Sequence, residues 1–175
     1  MSDTETAVAT KKLFGKYRGT CVNNIDPMQM GRIQVLVPSI GIPPSSWAMP
    51  CLPVTGTQTG VFTVPAIGAG VWVEFEGGDP DYPVWVGGFY SPADVPAAAR
   101  IVPPGVSGLT FQTLLSNSIT ISDTPGPTGG ILIKTTTGAM ISVSDVGITI
   151  SNGKGAVISM VGPTVSINAG ALTVT

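Results

Sequence analysis

The C-terminal part of the chain repeats pairs of aliphatic residues spaced by two, and this repeat constrains the fold more than any other feature. The intervals between the first members of successive pairs are 12, 10, 7, 10, 7 and 7 residues. Residues two apart on a β-strand point to the same face, so each pair predicts a short strand with one apolar face. The seven pairs are Ile119/Ile121, Ile131/Ile133, Ile141/Val143, Ile148/Ile150, Ile158/Met160, Val165/Ile167 and Leu172/Val174.

The residues within and between the pairs favour the same interpretation. Six of the seven residues enclosed by a pair are Ser or Thr, which suit a solvated face of a pleated strand. The segments that separate the pairs are rich in Gly, Asn, Asp and Pro, the residues that form tight turns. Each unit of the repeat is therefore predicted to be a strand of about three to five residues followed by a turn.

One such strand has nothing within its own unit against which to bury its aliphatic pair. A single-chain β-helix needs about three strands per coil and larger residues in its interior, but the chain has no aromatic residue after Phe111. Three chains wound together bring the pairs of all three onto one axis. We therefore predict an intertwined homotrimeric triple-stranded β-helix over residues 109–175, with neighbouring strands from different chains and the seven pairs as the trimer core.

The N-terminal half predicts a different all-β domain. Strand-like alternation of apolar and polar residues recurs with turn signals between the segments, and no helical period is present. Five strands within about 75 residues predict a small closed barrel of the OB-fold type over residues 13–90, because closure leaves no exposed edge. The predicted strands are 17–23, 32–37, 47–54 (broken by prolines), 71–76 and 83–90.

The remaining segments are interpreted as connections. Residues 91–108 contain four prolines and predict a semi-rigid connector, and residues 1–12 predict an N-terminal arm. The arm has no apolar core typical of a signal peptide, and no run of 18 apolar residues occurs, so we expect synthesis in the cytoplasm without a signal peptide. Only 10% of residues are charged and the net charge is −2, which argues against a nucleic-acid partner.

Residues that could carry catalysis or bind a metal are few. The chain has no histidine, which excludes Ser-His-Asp and Cys-His catalysis, and we predict no catalytic residue, no cofactor and no metal. The acidic cluster Glu74, Glu76, Asp79 and Asp81 is interpreted as a solvated strand end and turn, with a hard-cation site as the alternative. Cys21 and Cys51 are interpreted as free thiols, although their spacing leaves a disulfide possible.

Several segments resemble one known family. They are Lys16–Asn24 (KYRGTCVNN), Gly31–Val35 (GRIQV), Pro65–Asp79 (PAIGAGVWVEFEGGD) and Pro83–Tyr90 (PVWVGGFY), followed by the C-terminal repeat and its terminal Ala171–Val174. Together they resemble the central spike proteins of contractile injection systems. These comprise the phage baseplate assembly protein V group and the related spike region of the valine-glycine repeat proteins of type VI secretion. The resemblance extends over about residues 14–175.

This resemblance implies a homotrimer on the axis of a phage-tail or phage-tail-like baseplate. The OB-fold or N-terminal region would bind a hub protein, and the rod would puncture the target envelope when the sheath contracts, touching the target membrane only transiently. Some relatives end in an iron-binding His-x-His, which this chain lacks, so a separate tip protein of the PAAR-repeat type is expected at the C-terminal end. Some carry a lysozyme domain, whose place is taken here by the connector 91–108.

Two other classes of function remain open at this point. A trimeric OB-fold module on a β-helical stalk could bind saccharide or nucleic acid, which requires an exposed basic or aromatic groove. An enzyme built on a β-helix, such as a polysaccharide lyase, requires acids or bases clustered on one strand face. The segment 106–175 contains two Asp and two Lys, spread apart, and we therefore predict a structural protein and not an enzyme.

Overall fold

The computed structural model describes residues 12–41 and 46–174. The chain divides into two compact units, Met1–Ala93 and Asp94–Thr175, which we describe separately. The predicted N-terminal arm, residues 1–12, lies outside the described residues except for Lys12. The domain limits predicted from the sequence at 12/13, 90/91 and 108/109 remain predictions.

The first unit contains a closed five-stranded barrel with the strand order β1-β2-β3-β7-β6, as the sequence predicts. All neighbours pair antiparallel except β3 and β7, whose parallel pairing closes the barrel. A separate hairpin lies between β3 and β6. The strands are β1 (Tyr17–Asn23), β2 (Ile33–Leu36), β3 (Trp47–Pro50), β4 (Thr55–Gly56), β5 (Thr59–Gly60), β6 (Gly70–Phe75) and β7 (Pro83–Phe89), with 3-10 turns at Pro38–Ile40 and Glu76–Gly78.

The barrel encloses a small dry core. Inward residues of all five strands are buried, and Ile33, Val71, Val73 and Cys21 are the largest that are fully buried. Trp85 belongs to this core, and its indole Nε1 donates a hydrogen bond to the Gly31 carbonyl at 3.1 Å. Both cysteines are free: Cys21 is buried in this core and Cys51 is exposed.

The second unit is one eight-stranded antiparallel sheet in which the strands follow each other in chain order. A 3-10 turn, Ala99–Ile101, precedes the sheet, and another, Asn168–Gly170, joins its last two strands. The strands are β8 (Gly108–Gln112), β9 (Ser118–Ser122), β10 (Gly130–Lys134), β11 (Met140–Ser144), β12 (Gly147–Ser151), β13 (Val157–Val161), β14 (Thr164–Ile167) and β15 (Leu172–Val174).

Strand pairing in this sheet differs from the expectation that neighbouring strands belong to different chains. Each strand from β9 to β14 pairs with the strands before and after it in the same chain, while β8 pairs with β9 and β15 with β14. The turns are short enough to form hairpins, and a hairpin joins adjacent antiparallel strands with little loss of chain entropy. The backbone is therefore satisfied within one chain, and what a single chain leaves uncovered is the apolar face of the sheet.

Within residues 12–41 and 46–174, no helix has the length and apolar character needed to cross a membrane.

Candidate functional site

The apolar residues of the sheet align across all eight strands in two unbroken rows, which together we call the apolar stripe. The pairing register places each member of a row directly opposite the next. One row is Leu109, Ile121, Ile131, Val143, Ile148, Met160, Val165 and Val174. The other is Phe111, Ile119, Ile133, Ile141, Ile150, Ile158, Ile167 and Leu172.

The apolar stripe is open to solvent in the single chain. Exposed fractions run from 38% for Val143 and Ile158 to 63% for Phe111, and Ile148, Met160, Val165 and Ile167 are half-buried. Eight strands spaced by about 4.8 Å make the stripe about 34 Å long. Monomeric proteins rarely expose a continuous apolar surface of this kind, and those that do use it for binding. The stripe is therefore the strongest candidate for a functional surface in the chain.

The opposite face of the sheet carries hydroxyl groups and is partly covered by the chain itself. Ser118, Thr120 and Ser122 of β9 are buried there. The segment before β8 crosses this face, because the Ala98 N–H donates to Gln112 Oε1 at 2.9 Å and Val102 lies against Gly108. The covering segment thus lies on the polar side of the sheet and leaves the stripe free.

The sheet brings together the fourteen residues predicted from the sequence. They occupy the register positions of the stripe on β9–β15, with Val174 placed by backbone register alone. The sequence interpretation missed Leu109 and Phe111, which continue both rows onto β8. The signal was present, because Leu109-Thr110-Phe111 has the same apolar–hydroxyl–apolar spacing as the later units.

The barrel contains a polar network that the sequence interpretation also missed. The Asp26 carboxylate accepts hydrogen bonds from the backbone N–H groups of Met28 (3.0 Å), Met30 (2.8 Å) and Arg32 (3.2 Å). It also accepts two from the Arg32 guanidinium, at 3.0 Å from Nε and 2.6 Å from Nη2. The guanidinium hydrogen bonds, helped by the backbone N–H groups, hold the pKa of Asp26 well below its usual range, although burial opposes them. This network fixes the β1–β2 loop.

Three cations of the barrel contact an acidic or aromatic side chain, and two of them, Lys16 and Arg18, are also exposed to solvent. Lys16 forms an ion pair with Glu74, Arg32 pairs with Asp26, and the Arg18 guanidinium lies over the Trp72 ring at 5.0 Å from its centroid. Arg18 also lies over Phe89, at 4.9 Å. These contacts attach each of the three cations to a neighbouring side chain of the barrel.

The acidic residues Glu74, Glu76, Asp79 and Asp81 do not assemble into a metal site. Among the described residues, no group of three or more His, Cys, Asp or Glu side chains is placed to hold a metal ion. Glu74 is drawn toward Lys16, and the Asp79 side chain accepts a hydrogen bond from the Asp81 backbone N–H at 3.1 Å. These contacts are those of a strand end and a turn.

Comparison with known families assigns both units. Residues 17–90, which contain the barrel, match the family model of the type VI secretion system/phage-baseplate injector OB domain. Residues 108–173, which contain the sheet, match that of the phage baseplate V C-terminal trimerisation domain. The two matches together include most of the chain. No curated protein sequence matches it.

Proposed function

Because this chain belongs to the phage baseplate V family, with an injector OB domain followed by a trimerisation domain, we propose that it is the homotrimeric spike that punctures the target envelope. It is a structural component of a phage or type VI secretion baseplate. The proposal concerns its specific role in the baseplate, which is that of a rod driven through the envelope when the sheath contracts. In this role the chain acts mechanically and not as an enzyme.

The apolar stripe is the observation that carries the proposal. Three sheets placed around a threefold axis with their stripes inward bury the aliphatic pairs of all three chains against each other. Covering this apolar surface contributes roughly 25 cal/mol per Å² of the area removed from water. This gain opposes the translational and rotational freedom that three associating chains lose.

The same arrangement gives a mechanical reason for the fold. Strands of each sheet lie across the rod, so the hydrogen bonds between strands run along its axis over about 34 Å. A sheet alone would bend, but three sheets joined by a dry core resist bending. The low charge of the chain, 10% of residues, lowers the desolvation cost of entering a bilayer.

The partners in this proposal are those that the family resemblance implies. The barrel or the N-terminal region binds a baseplate hub protein, and a tip protein of the PAAR-repeat type binds the C-terminal end. Strand β15 supports the second contact, because among the described residues it pairs with β14 alone and its other edge is open. The chain is made in the cytoplasm, is assembled into the particle and meets the target membrane only on firing.

Replacement of two stripe residues by charged ones tests the proposal. The variant Ile150→Asp/Ile158→Asp alters two residues that lie opposite each other on β12 and β13. Six carboxylates on the trimer axis cannot be solvated, so we expect complete loss of the trimer. Native mass spectrometry measures the loss of the trimer. Particles assembled with the variant should also fail to cause dye release from dye-loaded target cells or vesicles.

The neighbouring pair on the same strands provides the matched control. Thr149 and Ser159 also lie opposite each other, one residue away and on the other face. Thr149→Asp/Ser159→Asp adds the same number of charges and should leave the trimer intact. A wild-type protein that is monomeric at micromolar concentration, or equal effects of the two variants, would contradict the proposal.

A further inference from the structure

The turn between β8 and β9, residues Thr113–Asn117, holds two leucines in solvent, and we call it the leucine turn. Leu114 is 87% exposed and Leu115 is 70% exposed. Leu114 is the most exposed large apolar side chain among the described residues. Two adjacent leucines projecting from a turn are a liability for a soluble chain unless another surface covers them.

The leucine turn is held rigidly by hydrogen bonds. Thr113 N–H donates to the Asn117 carbonyl at 2.9 Å, and Ser116 N–H donates to the Thr113 carbonyl at 2.9 Å. The next turn on the same side anchors it as well. Thr136 Oγ1 donates to the Leu115 carbonyl, and Thr136 N–H donates to Asn117 Oδ1 at 3.1 Å. The leucines are therefore presented in a fixed position.

A second apolar feature lies on the other side of the sheet, where β8 begins. Along the direction in which the strands are stacked, it is nearly level with the leucine turn. Residues Pro103–Val106 form a turn in which Val106 N–H donates to the Pro103 carbonyl at 3.1 Å, and we call it the proline turn. It leads directly into β8, because Ser107 accepts a hydrogen bond from Asp123 N–H beside the start of that strand. Ile101, which precedes it, is 60% exposed, and both prolines are exposed.

We propose that the leucine turn of each protomer packs against Ile101 and the proline turn of the next protomer, closing the corner between adjacent sheets. The inference rests on the proposed trimer. A rotation about a threefold axis does not shift a residue along that axis. The side of one sheet that carries the leucine turn therefore meets the side of the next sheet that carries the proline turn, at the same position along the rod. The contact is heterologous and closes into a ring of three. It continues the apolar stripe interface around the corner of the rod.

The other candidate occupant of this corner is less suitable. The β9–β10 turn, residues 123–129, lies on the same edge as the proline turn and about as close in height. It offers the polar Thr124 and Thr128 beside its prolines, and its Gly126 N–H is already bonded to Asp145 Oδ2 at 3.1 Å. The aliphatic Ile101 beside two prolines is the better match for two leucines.

Paired cysteines test the contact in the full-length protein. In a Cys51→Ser background, which removes the exposed native thiol, the variant Leu115→Cys/Pro104→Cys is treated with a short bifunctional thiol reagent. Each chain then supplies one cysteine to each neighbour, so we expect a covalent species of three times the chain mass. Either cysteine alone should yield no linked product.

A second pair serves as the matched control. Val146 is an exposed residue in the β11–β12 turn, on the same edge as the proline turn but three strands, about 14 Å, further along the rod. Leu115→Cys/Val146→Cys should therefore remain unlinked. In parallel, Leu114→Ser/Leu115→Ser should lower the midpoint of thermal dissociation of the trimer by roughly 5 °C or more.

The outcomes separate this inference from the proposed function. Three results would overturn the corner contact in a protein that is trimeric by native mass spectrometry, and they would leave the trimer itself intact. They are the absence of a linked trimer, equal linking through Val146, and an unchanged thermal midpoint after replacement of both leucines. A covalent dimer overturns the ring closure. A monomeric wild-type protein overturns both.

Discussion

At the scale of single residues, Asp26 links the stability of the barrel to pH. Its carboxylate is the shared acceptor for three backbone N–H groups and the Arg32 guanidinium. The Arg32 guanidinium also lies over the Trp47 ring, at 5.5 Å from its centroid. All the partners of its carboxylate lie within the six residues that follow it, so the loop closes on Asp26 locally.

We predict that Asp26→Asn destabilises the barrel near neutral pH and that this difference narrows as the pH falls below about 3.9. The folded-state pKa of Asp26 is lowered, so the carboxylate contributes stability above its unfolded pKa of about 3.9. That contribution is lost as the pH falls through the folded-state pKa. Urea unfolding followed by tryptophan fluorescence from pH 7 to pH 2 measures it.

Asp81→Asn is the control for this prediction. Asp81 is exposed in the β6–β7 turn, and its replacement should leave the unfolding midpoint nearly unchanged across the same pH range. A difference between Asp26→Asn and wild type that is constant from pH 7 to pH 2 would mean that the charge of Asp26 does not stabilise the barrel.

At the scale of elements, the sheet is a modular stack of strands. Two-residue turns join β11 to β12 and β13 to β14, and both leave the rows of the stripe in register. Removal of two successive strands preserves the direction of the remaining strands, the faces to which their side chains point and the pairing register. A shift of the pairing register by one residue, in contrast, moves the side chains of that strand to the other face. The length of the rod is therefore set by the number of hairpins.

We predict that deletion of residues 145–161 yields a shorter but intact trimer. The deletion joins Ser144 to Gly162 and keeps the turn before β14, so Val143 then lies opposite Val165 and Ile141 opposite Ile167. Both rows remain continuous, and the rod loses two strands, or about 10 Å. Native mass spectrometry and small-angle scattering measure the oligomeric state and the length.

Deletion of Ser142 alone is the contrasting variant. It removes one residue from the middle of β11 and turns one member of the Ile141/Val143 pair to the hydroxyl face. We expect this one-residue deletion to weaken the trimer more than the loss of seventeen residues does. The reverse order would mean that the rows do not form a repeating core.

At the scale of the whole molecule, the two units differ in how they are stabilised. The barrel encloses its own core, whereas the sheet has one uncovered apolar face. Trp47, Trp72 and Trp85 are the three tryptophans of the chain, and all lie in the barrel strands. Tryptophan fluorescence therefore reports on the barrel alone, and circular dichroism reports on both units.

We predict that only the sheet transition depends on protein concentration. Dissociation of a trimer into three unfolded chains shifts by about 2.8 kcal/mol per trimer for each tenfold dilution. This lowers the melting midpoint of the sheet by roughly 5 °C. The fluorescence-detected transition of the barrel should not move. Thermal melts at 1, 10 and 100 micromolar would contradict the prediction if the sheet midpoint stayed constant.

The sequence by itself determined the local features: the strand positions, the face to which each aliphatic pair points and the closed barrel of five strands. These follow from side-chain alternation and turn chemistry within a few residues. Only the tertiary structure decided which strands pair, because antiparallel neighbours in one chain and strands of different chains satisfy the same pattern. Tertiary structure also left Cys21 buried in the barrel core and Cys51 exposed. This depends on how segments thirty residues apart are placed, which short-range alternation does not encode.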